Sequence, residues 1–223
     1  MKLWILAMTL LAGAIVPVVG HADDNQSPAE LVKQKATATL DAVASQREEL
    51  RKHPKELYSL VEDKLLPVFD FDFTARLVLG RHWRDASSEQ QEAFRKAFVD
   101  FLIHNYANGL LKYQNNKIDF EPVRGSADPR HTIVQTKVYL DDGTAVPVDY
   151  VLHRTKQGDW KIFDVVIEGI SYVNNYRQQF GAEVDQKGLD ELISRLQKES
   201  RDALQRAEAG DLSVKPAGDG KGG

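Results

Sequence analysis

The sequence predicts an α+β domain in which a twisted antiparallel sheet of about four strands is wrapped by helices, and three observations carry that prediction. Apolar residues recur at helical spacing from Pro28 to about Tyr113. The period then changes to two between Lys117 and Ile167. The alternating stretch is broken at Asp141-Asp142-Gly143 and Gln157-Gly158-Asp159, where hairpin turns belong. At 223 residues the chain is long enough to bury a core with room for a cavity.

The first 22 residues read as a secretory signal peptide. Lys2 precedes an apolar run from Leu3 to Val19, and Gly20 and Ala22 supply the small residues expected before cleavage. Gly13, Pro17 and the polar Asp23-Asp24-Asn25-Gln26 argue against a spanning helix. Leu11-Ala12-Gly13-Ala14 resembles a lipobox but lacks the cysteine that would carry a lipid.

The domain proper occupies residues 23–209. Ser27-Pro28-Ala29-Glu30 combines a cap, a proline at the first helical position and a capping-box acid, and opens a helix whose Val32, Ala36, Leu40 and Val43 face the core. Pro54 and Pro67 bracket a second helix with Leu57, Leu60, Val61 and Leu65 on one side. Ala75 to Gly80 is a short apolar helix stopped by glycine. Ser87 with Gln90, or Ser88 with Gln91, caps the longest helix, whose apolar stripe is wide enough to be buried on more than one side. Four strands follow, and Pro147 points to an edge or a bulge in its strand. The last strand is apolar on both faces, as a central or doubly covered strand is. A helix from Tyr172 ends at Gly181, another carries Leu189, Leu192, Ile193 and Leu196, and residues 210–223 form a tail without periodicity, expected to be disordered.

Composition narrows the function. The net charge of −4 argues against nucleic acid as a partner, and the absence of cysteine removes disulfides, thiolate metal sites and cysteine nucleophiles. No His-Glu-x-x-His, Gly-x-Ser-x-Gly or Walker A run occurs. The six histidines lack the i, i+3 or i, i+4 pairing of a helical metal site. Asp70 and Asp72, just before a helix, are read as its cap and dipole partners, not as metal ligands. Asp149, Tyr150 and Asp164 fall on neighbouring strands, where burial could prime a carboxylate for proton abstraction, although strand phase turns Asp149 toward solvent.

Several motifs, weak singly and specific together, run through the chain in a fixed order. They are Leu65-Leu66-Pro67, Leu77-Val78-Leu79-Gly80 with Trp83, Tyr106-x-x-x-Leu110-x-x-Tyr113, Gly158-Asp159-Trp160-Lys161-x-x-Asp164-Val165, Glu168-Gly169-Ile170-Ser171 and Tyr176-Arg177-x-x-Phe180. From about Pro28 to Leu204 the chain thereby resembles the MlaC or toluene-tolerance family of periplasmic phospholipid-binding proteins. The resemblance implies a cone similar to that of the nuclear-transport-factor (NTF2-like) fold, with a deep apolar cavity and no cofactor besides the bound phospholipid. It implies no enzymatic activity. It further implies a monomeric periplasmic carrier that exchanges glycerophospholipid with an outer-membrane MlaA–porin complex and an inner-membrane MlaD-containing ABC transporter, which would explain the absence of a Walker A run.

For the wall of that cavity the sequence nominates Phe73, Leu77, Trp83, Phe94, Phe98, Phe101, Leu102, Tyr106, Val138, Val148, Tyr150, Leu152, Ile162 and Val166. For its lip it nominates Gly169, Ile170, Ser171, Val173 and Asn174, where the last strand turns into a helix. The residues alone leave two further readings open. One is a cone-fold enzyme acting on a hydrophobic substrate through Asp149, Asp164 or Tyr150, and the other is a chaperone with an apolar groove.

Overall fold

The computed structural model describes residues 26–112, 118–121, 130–139 and 143–214, so the signal segment at residues 1–22 and most of the tail lie outside the described residues. The chain starts with helices. Helix α1 (Pro28–Ser45) is closed at its start by the capping box of Ser27 and Glu30. A short α2 (Arg47–Lys52), not anticipated from the sequence, leads to α3 (Pro54–Leu65) and α4 (Phe71–Leu79). Asp70 caps α4 by accepting from Phe73 N at 2.8 Å, the role read for it from the sequence. After α5 (His82–Asp85), the Ser87–Gln90 box opens α6 (Ser88–Tyr106). This helix ends seven residues before the expected Tyr113, because Ala107–Lys112 tightens into a 3₁₀ helix.

The sheet has five antiparallel strands among the described residues, in the order β1 (Ile118–Phe120), β2 (His131–Tyr139), β3 (Ala145–Arg154), β4 (Trp160–Ile167) and β5 (Ile170–Ser171). The strand beyond the anticipated four is the two-residue β5, too short to show a period. Pro147 does not mark an edge, since β3 is the middle strand. It sits one residue outside the β3–β4 register, which begins at Val148↔Ile167, so its missing N–H interrupts no ladder bond there. The open side of β4 is covered at one end by the chain entering α4, where Ile162 bonds Val68 and Asp70, and at the other by β5. These bonds satisfy the backbone groups along the outer edge of β4.

The sheet turns into α7 (Tyr172–Lys187), which passes through Gly181 instead of stopping there, and α8 (Leu189–Glu208) follows. Gly181 has helical neighbours and nothing within 4 Å of the position its Cβ would take, so one glycine costs the helix only about 1 kcal/mol. Three apolar clusters hold the layers together. Phe94, Phe98, Phe101, Tyr176, Phe180, Leu192 and Leu196 join α6, α7 and α8; Leu57, Val61, Val99 and Ile103 join α3 to α6; and Val32, Val68, Val134, Leu152 and Ile162 seat α1 on the sheet. Leu212, just before the tail leaves the described residues, packs on the second cluster.

Candidate functional site

Where the three clusters meet they do not close. A cavity of about 440 Å³ lies between α1, α3, α6, the start of α7 and the concave side of the sheet. That size is in the range of small-molecule sites, roughly 300–1,000 Å³. Each element contributes the face its sequence periodicity presents. Helix α1 supplies Val32, Ala36, Thr39 and Leu40, α3 supplies Val61 and Leu65, and α6 supplies Phe98, Leu102, Ile103 and Tyr106. The strands contribute Ile118, Val138, Val148, Tyr150, Ile162, Val165 and Ile167. Pairing of Tyr150 with Val165 and of Val148 with Ile167 puts these four on one face.

Of the residues nominated from the sequence, Phe98, Leu102, Tyr106, Val138, Val148, Tyr150, Ile162 and Val173 line the cavity. The others lie elsewhere. Phe94 and Phe101 are buried in the α6–α7–α8 core, and Leu77 and Trp83 pack on that core from its surface. Trp83 takes the Arg76 guanidinium 5.8 Å from its ring centre. Phe73 stacks on His153 at 4.4 Å, and Leu152 fills the core under α1. Val166 pairs with Asp149, the step after Tyr150↔Val165, and therefore points to the opposite face. A bulge explains this: Val151 pairs with Asp164 and Leu152 with Ile162, so Phe163 is extra and the alternation flips between Ile162 and Val166. Gly169, Ile170 and Asn174 are exposed, and Ser171 turns its hydroxyl to Asp164, leaving Val173 as the part of the nominated lip that reaches the cavity.

Sequence reasoning missed most of the floor built by α1, α3 and the link Val68-Phe69 with Phe71 and Thr74. The stripe Val32-Ala36-Leu40 was legible as core-facing; its half-burial at Ala36 and Leu40 is set by what stands opposite, which no single helix encodes.

The polar groups inside are few and nearly all are engaged. Thr39 Oγ1 donates to Lys35 O at 2.8 Å, and Thr74 Oγ1 lies 2.8 Å from Phe163 O, tying α4 to β4. Asp164, 9% exposed, accepts from Ser171 Oγ at 2.5 Å and from Val173 N at 3.0 Å, so both oxygens fasten the start of α7. The hydroxyls of Tyr106 and Tyr176 meet at 2.6 Å. Two hydroxyls carry two protons and their mutual bond uses one, leaving one donor for a guest oxygen. Burial pushes the phenol of Tyr106 up, that of Tyr172 to about 12, and that of Tyr176 higher, so all three stay neutral. Among the described residues, no group of three or more His, Asp and Glu could hold a metal, and no helix is long and apolar enough to cross a membrane. Such a wall can desolvate a long hydrocarbon chain and offer one hydrogen bond to an oxygen carried by the same guest.

Known proteins resemble this chain in sequence and in fold. The chain is 26% identical over 200 residues to the intermembrane phospholipid transport system binding protein MlaC of Haemophilus influenzae, covering 89% of this chain and 93% of that one. It is 29% identical over 166 residues to the toluene tolerance protein ttg2D of Pseudomonas putida, covering 74% and 76%. A solved structure, that of a phospholipid-binding protein from Ralstonia solanacearum in complex with a phospholipid, superposes with a TM-score of 0.74 at 26% identity, over 80% of this chain and 99% of the other. The family model described as MlaC protein matches residues 33–198, which span every wall of the cavity except Val32, and the chain belongs to that family.

Proposed function

We propose that this chain is a non-catalytic periplasmic carrier that shuttles glycerophospholipids between the outer and inner membranes, delivered there by a cleaved signal peptide at residues 1–22. The observation that supports it best is the apolar cavity itself, in a fold shared with a protein solved with a phospholipid bound. Each methylene moved out of water is worth about 0.8 kcal/mol, so two long acyl chains cross an aqueous gap only at a cost on the order of 20 kcal/mol. A carrier replaces the bilayer for the duration of the transfer.

In this reading the acyl chains lie against Phe98, Leu102, Val138, Val148, Tyr150, Ile162 and Val173, with the α1 and α3 residues as the floor. The head group stays at the opening, because a buried phosphate would need partners that the interior lacks. Loading comes from an outer-membrane MlaA–porin complex and unloading goes to an inner-membrane MlaD-containing ABC transporter, or the reverse. A partner unloads the carrier by favouring its empty state, since a ligand shifts an equilibrium only by its differential affinity. The carrier works as a monomer that leaves each docking site.

Native mass spectrometry of the chain purified from periplasm without detergent, followed by denaturing lipid analysis, tests the proposal. Stoichiometric phospholipid is the expected result. A bare protein that also extracts no lipid from vesicles would overturn it, and bound peptide without lipid would favour a chaperone.

A further inference from the structure

The cavity has an electrostatic asymmetry that its apolar lining conceals. Among the described lining residues three side chains carry charge, namely Lys35 on α1, Lys64 on α3 and Asp164 on β4. Both oxygens of Asp164 are occupied by Ser171 and Val173. Lys35 and Lys64 both line the cavity and are exposed, the pattern of side chains whose methylene stems cover apolar surface while their ammonium groups reach water.

Four lysines of the chain are paired, Lys55 with Glu208 at 2.9 Å, Lys96 with Asp100 at 3.1 Å, Lys137 with Glu121 at 2.6 Å and Lys198 with Asp202 at 2.6 Å, and none of these four lines the cavity. Lys35 and Lys64 have no ion-pair partner among the described residues. Helical spacing provides none either, since the residues three and four positions away are Leu31, Val32, Ala38 and Thr39 for the first and Leu60, Val61, Pro67 and Val68 for the second. In a chain of net charge −4, two lysines without an ion pair among the described residues therefore border one apolar cavity from two helices.

We propose that Lys35 and Lys64 are the head-group subsite of the cavity, taking the phosphate of an anionic amphiphile and giving the protein a preference for lipids of net negative charge. This rests on the carrier reading above and adds to it which side the head group occupies and which head groups are favoured. Two ammonium groups more than balance the single negative charge of a phosphodiester that carries a glycerol head, whereas a choline cation would bring a third positive charge to the same rim.

The experiment incubates the full chain with vesicles of mixed phosphatidylglycerol and phosphatidylcholine and measures the ratio of the two lipids bound to the re-isolated protein. The wild-type chain is expected to be enriched in phosphatidylglycerol, less so as salt is added. Lys35→Gln with Lys64→Gln should lower that enrichment about fivefold while keeping total occupancy, the scale expected of solvent-exposed ion pairs. Lys33→Gln removes the same charge from α1 at a position outside the cavity and should leave the ratio unchanged. A double variant that binds the two lipids in the wild-type ratio overturns the subsite and leaves the carrier reading standing. If the wild-type chain takes neither lipid, the carrier reading falls and the subsite with it. If inorganic phosphate binds the wild-type chain but not the double variant, while both take the two lipids in the same ratio, the lysines serve free phosphate and the head-group assignment is overturned.

Discussion

The hydroxyls of Tyr106 on α6 and Tyr176 on α7 lie 2.6 Å apart in the cavity wall, with the ring of Tyr172 edge-on to both at 5.9 and 6.2 Å. Ionising any of the three would put a charge into an apolar wall, and burial holds Tyr172 up to about 12 and Tyr176 higher. An unfolded tyrosine titrates near 10. Between those values the unfolded chain has released protons that the folded chain keeps, so the stability contributed by the neutral phenols is complete below pH 10 and is lost as pH rises through 12. Urea unfolding midpoints should hold steady up to pH 10 and fall above it, and Tyr172→Phe should flatten the fall. Midpoints that ignore pH across that window would contradict burial of the phenols.

Val148→Trp places an indole where a methyl-branched side chain now lines the cavity on β3. Filling the cavity should displace acyl chain, so lipid occupancy by native mass spectrometry should drop while far-UV circular dichroism stays native. Overpacking costs about 1–3 kcal/mol when the added volume cannot be accommodated, and the open space beside Val148 should keep the cost at the low end. Ile133→Trp is the control, since Ile133 is 50% exposed on β2 and away from the lining. Equal occupancy in both variants would remove Val148 from the lipid path.

The parts of this fold legible in the sequence are those written locally. Both capping boxes, the Asp70 cap and the alternation of β2, whose Thr132, Val134 and Thr136 are buried between exposed neighbours, depend on residues a few positions apart. On the strands, phase picked out Val138, Val148, Tyr150 and Ile162, which line the cavity, but also Leu152, which the packing of α1 buries in the core. Phase failed at Val166 because the Phe163 bulge resets it, and a bulge depends on the partner strand. Phe94 and Phe101 look like wall residues by type, yet they face α7 and α8, a packing choice that aromatic content does not reveal. The lip failed for a related reason: Ser171 and Asn174 serve the cap of α7, with Asn174 N donating to Ser171 Oγ at 3.1 Å.

Gly80→Ala tests the joint between α4 and the rest of the helical layer. Gly80 ends α4 at φ 56° and ψ −118°, a conformation L residues avoid, and an added Cβ would stand 3.2 Å from Arg177 Nε on α7. Backbone strain of this kind costs about 1–3 kcal/mol, and chemical denaturation should show a loss of that size. Gly80 is not part of the cavity lining, so the folded variant should keep its lipid. Wild-type stability would mean that the joint relaxes and that glycine is not required there.

Asp164→Asn separates a structural carboxylate from a catalytic one. In the wild type the two oxygens accept from Ser171 Oγ and Val173 N, and an amide can offer an oxygen to only one of these donors. The substitution should therefore lower stability by about 1–3 kcal/mol, the cost of leaving a buried donor poorly matched. Because the carboxylate is spent on holding α7, the variant should retain phospholipid in the amount found for the wild type. The reverse pattern, wild-type stability together with loss of a measurable turnover on a phospholipid substrate, would place Asp164 in chemistry and overturn the non-catalytic reading. Thermal unfolding, lipid content and product analysis on the same preparation distinguish the two, since a cap defect moves the first and a base defect moves the last.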